Sequence, residues 1–76
     1  MKLSVVKERL SANEIIAFDV MPNPGDLSEW VVWVRESSGG SYLLLNEDES
    51  FVRSKNANEI LSILKNIGAK YVGFSL

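Results

Sequence analysis

Late in the chain, apolar positions recur with the period of a helix: Ile60, Leu61, Ile63, Leu64 and Ile67 fall at i, i+1, i+3, i+4 and i+7, one stripe of a repeat of about 3.6 residues. Asn56 precedes the stripe as an N-cap, Glu59 stands where a carboxylate can reach back to the cap amide, and Gly68 follows where a left-handed residue ends a helix. With Lys65 near the negative helix end, the spacing predicts a helix over Ala57–Ile67. Past Gly68 the period drops to two. Val72, Phe74 and Leu76 alternate with Tyr71, Gly73 and Ser75, which predicts a strand over residues 70–75.

Alternation also marks the middle of the chain. Residues 29–36 carry Trp30, Val31, Val32, Trp33 and Val34, all β-branched or aromatic; Ser37, Ser38, Gly39 and Gly40 interrupt the run, and residues 41–45 resume it. This reads as a β-hairpin, with Gly39 and Gly40 supplying the positive φ values of a tight turn. Further upstream, Ile16, Phe18 and Val20 alternate until the stretch from Met21 through Pro22, Asn23, Pro24 and Gly25 to Asp26 ends the run. Ser11 and Glu14 have the spacing of a capping box, but the alternation predicts a strand from about Glu14. Leu3, Val6 and Leu10 have helical spacing. The segment 4–10 is shorter than the ~12 residues an isolated helix needs, so the helix expected there forms only by docking. Ala12-Asn13-Glu14-Ile15-Ile16 echoes Ala57-Asn58-Glu59-Ile60-Leu61. An echo so short falls far below the roughly 20–50 residues of a repeat unit, and reads as chance or a shared capping signal.

The expected architecture is α+β in two layers, one small domain over residues 1–76: a short N-terminal helix, a three-strand antiparallel meander, a helix and a C-terminal strand. A strand–helix–strand return makes the last strand parallel to the first, its favoured neighbour. The strand 29–36 is apolar on both faces, with Trp30, Val32 and Val34 pointing one way and Val31 and Trp33 the other. Its neighbours repeat the pattern: Leu43 and Leu45 oppose Tyr42 and Leu44, and Ile16 and Phe18 oppose Ile15 and Ala17. One helix covers one face. The second face needs the segment bearing Leu3, Val5, Val6 and Leu10, a second copy of the chain, or another partner. A chain this small has a marginal core, so a homodimer through the sheet is expected, with Trp30, Trp33, Val31, Tyr42 and Leu44 as its interface and a large aromatic at its centre.

Composition narrows the chemistry. The 76 residues include no Cys and no His, which removes disulfides, thiolate catalysis, Cys-type zinc sites and the usual general base. At 46% hydrophobic and 24% charged, the chain is expected to fold rather than stay disordered. Asn46, Glu47, Asp48, Glu49 and Ser50 gather oxygen atoms, but without the alternating ligand spacing of a calcium loop, so they read as a solvated turn. Asp19, between Phe18 and Val20, reads as an outward residue near a strand end rather than a catalytic carboxylate. No His is present to activate a serine. Gly-rich phosphate motifs are missing, and Gly39 and Gly40 lie between strands with no helix end to hold phosphate. No catalytic residue, metal ligand or cofactor is assigned, and an enzyme is not expected.

Charge is unevenly spread. Residues 10–50 carry eight acids and one base, Arg35, while both flanks are mildly basic, for a net charge of −2. An acidic total opposes general nucleic-acid binding. The small basic edge of Arg53, Lys55, Lys65 and Lys70 makes a nucleic-acid-binding regulator the alternative reading. Trp33 with Arg35 on one sheet face is an arrangement on which bases stack, although the sequence pattern of sheet-based RNA readers is missing. No apolar segment of a signal peptide follows Lys2, and the run Trp30 to Val34 is far below the ~20 residues of a membrane span. The expectation is a cytoplasmic, non-enzymatic protein–protein interaction module, homodimeric through its sheet and without a membrane partner.

Overall fold

In the computed structural model, which describes residues 1–75, the chain runs through α1 (Leu3–Ser11), β1 (Ile15–Asn23), β2 (Asp26–Glu36), β3 (Ser41–Leu43), β4 (Arg53–Ser54), α2 (Ala57–Ile67) and β5 (Val72–Phe74). Leu76, the last position of the C-terminal alternation, lies outside the described residues. β1 and β2 form a long antiparallel hairpin, β3 returns antiparallel to β2, and β5 runs parallel to β1 with Phe18 opposite Val72 and Val20 opposite Phe74. The fold is the α+β arrangement read from the sequence, with the last strand beside the first.

β4 is an addition that periodicity could not reveal, because a two-residue strand has no period. After β3 the chain leaves the edge of β2, makes an excursion closed by the Leu45–Phe51 bridge, and rejoins the same edge with Arg53 opposite Val31 and Ser54 opposite Trp30. In the β2–β3 turn only Gly39 adopts positive φ, at 103°; Gly40 does not. There the ring of Tyr42 packs so close that a Cβ on Gly40 would meet it at 2.9 Å, so Gly40 is small for packing rather than for conformation.

Both helices end in the same way. At α2 the Gly68 amide bonds to the Lys65 carbonyl and the Ala69 amide to the Leu64 carbonyl, with Gly68 at φ 95°. At α1 the Asn13 amide bonds to the Leu10 carbonyl and the Glu14 amide to the Arg9 carbonyl, with Asn13 at φ 59°. This is the Schellman pattern, for which Asn is the usual substitute when Gly is absent. Asn13 therefore stops a helix, whereas Asn58, its counterpart in the echo, sits in the first turn of α2. The echo carries no structural equivalence.

Their starts differ. Asn56 accepts the Asn58 amide through its side chain, and Glu59 bonds to the Ser54 hydroxyl, which in turn accepts the Asn56 amide, a capping box relayed through one serine. α1 has no such local cap on Lys2. Its cap comes from the loop 46–50, where Glu47 accepts the Ser4 amide at 3.1 Å and the Ser4 hydroxyl at 2.5 Å. Glu47 thus binds the positive end of a helix rather than only facing water. The same bonds hold its carboxyl below the ordinary range.

One core holds the layers together: Val6 of α1, Ile60 and Leu64 of α2, Phe18 and Val20 of β1, Val32 and Val34 of β2, with Leu44 and Val52 from the edge. Both helices thus lie on the same face of the sheet, and α1 does not cover the second face. Two features fix α1 there. Glu36 follows Val32 and Val34 in the alternation that faces the helices, is only 6% exposed, and is paired with Arg9. Moreover, the Met1 amine donates to the Leu43 carbonyl, and the Leu45 and Leu3 amides bond to the carbonyls of Met1 and Leu45. Among the described residues no helix is long and apolar enough to cross a membrane.

Candidate binding face

With both helices on one side, the other face of the sheet is left without a helix. Register places Ala17, Asp19 and Met21 of β1 opposite Arg35, Trp33 and Val31 of β2, and Trp33 opposite Leu43 of β3. The centre of this face is therefore apolar, formed by Val31, Trp33 and Leu43 with Met21 beside them. On β5 the position opposite Asp19 is Gly73, which adds no side chain.

Charges on this face come in pairs. Arg35 donates to Asp19 through two nitrogens, at 3.0 and 3.1 Å, a fork geometry that fixes both side chains across the strands. Hydrogen bonding to Asp19 raises the Arg35 guanidinium above its usual value. Arg53 faces Glu29 at 3.9 Å. An uncharged centre bordered by matched ion pairs has the anatomy of an interface. Asp19 is thus outward-facing and engaged by Arg35.

The face is also concave. The turn at residues 23–25 stands on one side and Phe51 on the other, above Val31, Trp33 and Leu43, enclosing a cleft of about 380 Å³. These walls explain why Val31 is only 2% exposed although no helix covers it. Asn23 shapes the turn by accepting the Gly25 amide through its side chain, and its own amide reaches Glu29.

The residues expected at the interface do not share a face. Val31 and Trp33 lie on the helix-free side. Trp30 lies on the helix side, where it packs against the core and meets Phe74 edge-on with ring centroids 5.9 Å apart. Tyr42, opposite Val34, is on that side too, exposed at the sheet edge. Leu44 is wholly buried in the core, which removes it from any surface. β1 also departs from strict alternation. A bulge between Ile15 and Ala17 turns Ile15 toward the core and leaves Ile16 49% exposed. Phe51, Arg53 and the turn at 23–25 were not anticipated in the site. Phe51 follows a polar loop rather than lying in an alternating run, so the pattern carried no sign of it.

A second cleft, of about 440 Å³, lies where Leu10, Ile15, Phe18 and Tyr71 meet Lys70. The C-terminal ends of both helices, at Asn13 and Gly68, border it. Among the described residues no group of three or more carboxylates is placed to hold a metal ion. Comparison with protein-family models, curated proteins and solved structures gives no match to this chain.

Proposed function

We propose that the chain is a non-enzymatic protein–protein interaction module that pairs with a second copy of itself through the helix-free face of its sheet. The observation that carries this reading is the apolar patch of Trp33 and Leu43, both half-buried, with Phe51 46% exposed beside them, on the side of the sheet that neither helix covers. Such a surface gains about 25 cal/mol per Å² when it leaves water. The two longer dimensions of the molecule, 33 and 24 Å, give a side of the size needed for the ~800 Å² per partner of a standard interface.

Charge favours a copy of the same chain over other partners. The face carries Asp19 with Arg35 and Glu29 with Arg53, so it is neutral where the chain as a whole is −2. A neutral face meets its own copy without repulsion and offers no field to attract phosphate. Sedimentation equilibrium at micromolar concentration tests the reading. A wild-type dimer, converted to a monomer by Trp33→Glu and kept by Tyr71→Glu, supports it. A wild-type monomer across that range overturns it.

A further inference from the structure

The pairing proposed above leaves open what fills the cleft on that face, and the inference here rests on that pairing. We infer that the Phe51 ring of each copy seats in the cleft of the other, against Trp33 and Leu43. The cleft has no charged residue in its lining. Its polar side-chain groups are the Asn23 amide, engaged with Gly25 and Glu29, and the Trp33 indole N–H, a single neutral donor. A charged guest would leave most of its hydration unreplaced there, so the guest is an apolar side chain.

Two-fold pairing of one face with itself requires that the projecting group and its receptor lie on the same face of the same chain. Phe51 meets that requirement. It borders the cleft and keeps 46% of its surface exposed. Its backbone is pinned as well, by the bridge to Leu45 and by the Asn46 side-chain amide on the Phe51 carbonyl at 3.4 Å. A ring offered from a fixed backbone loses little freedom on docking. Trp33 lines the same cleft, so its place at the interface and the seating of Phe51 are parts of one contact.

The experiment mixes isotope-labelled with unlabelled chains and records contacts between the two populations by filtered nuclear Overhauser spectroscopy. Cross-peaks from Phe51 ring protons to the Leu43 methyls or the Trp33 ring protons of the other copy are expected. Phe51→Ala should weaken the dimer at least about tenfold, as loss of a central aromatic anchor does, while Phe51→Leu retains most of the affinity. If the wild type dimerises and Trp33→Glu abolishes the dimer, yet Phe51 shows no contact across copies and Phe51→Ala has no effect, the pairing stands and the seating of Phe51 is wrong. A wild-type chain that stays monomeric overturns both.

Discussion

On one face of the sheet Phe18, Val20, Val32 and Val34 are dry beneath two helices; on the other, Val31, Trp33 and Leu43 have only a turn and one phenyl ring beside them. The same strands supply both sets, with side chains of the same kind. What separates them is where the helices were drawn. Arg9 binds a carboxylate on the helix side, Glu47 caps α1 from the edge, and Met1 and Leu3 are hydrogen-bonded to Leu43 of β3 and to Leu45 just beyond it. Polar contacts thus tie α1 to one of two apolar faces, while apolar burial supplies most of the stability.

The sharpest way to break the comparison is to cut equivalent leucines from each side. Leu64→Ala opens a cavity in the shared core and should cost about 2–5 kcal/mol in chemical denaturation. Leu43→Ala, on the open face, should cost about 1 kcal/mol or less in the monomer, because water already reaches the site. Equal losses would mean that the two faces are equally buried.

Next in size is the pair that anchors α1. Arg9→Ala strands the Glu36 carboxylate at 6% exposure, and an unsatisfied buried group of this kind costs about 1–3 kcal/mol. The loss stays below that of a fully buried pair, since the Arg9 side chain keeps 40% exposure. Adding Glu36→Gln to Arg9→Ala should recover part of the stability, because an uncharged amide tolerates the site better. No recovery in thermal unfolding would show that the position matters for packing alone.

The smallest effect concerns pH. Ser4 holds the Glu47 carboxyl below the ordinary glutamate range in the folded state, so the folded protein binds fewer protons than the unfolded chain in that range. The cap is therefore fully effective above that range and is lost as pH falls through the lowered value. Between about pH 6 and about pH 3 the melting temperature of the wild type should fall more than that of Glu47→Gln, whose cap is uncharged throughout. Parallel curves would assign the acid sensitivity elsewhere.

Sequence reasoning reached as far as local signals extend. α2 was legible at both ends because Asn56, Glu59, Lys65 and Gly68 all lie within one turn of the apolar stripe they bound. The two-sided β2 was legible because alternation reports faces directly. Alternation does not report which face a helix will choose; contacts that hold α1 to its side, such as Arg9 to Glu36, lie 27 positions apart. Glu36 continues the alternation of Val32 and Val34, so a carboxylate on a face meant for burial was itself a sign that a cation would come to that side. The bulge at Ile15 and the excursion that delivers Phe51 each break the period on which the reading depended. Of the expected interface, Trp33 and Val31 lie on the open face, while Trp30, Tyr42 and Leu44 lie on the helix side, because these five residues alternate between both faces of the sheet.

The cap of α1 lies 43 positions downstream of the residue it serves, and this sets an order of events along the folding route. α2 carries its start and stop signals within and beside its own sequence, so its caps need no distant loop. α1, at nine residues, is too short to persist alone, and it waits for the loop bearing Glu47 to be in place. A loop of that length must close before the reward arrives, which is the kind of contact made late in folding. Kinetic φ-values should therefore be low for probes in α1 and higher for α2 and the β1–β2 hairpin. On a ribosome, α1 would leave the exit tunnel first and be among the last elements to settle.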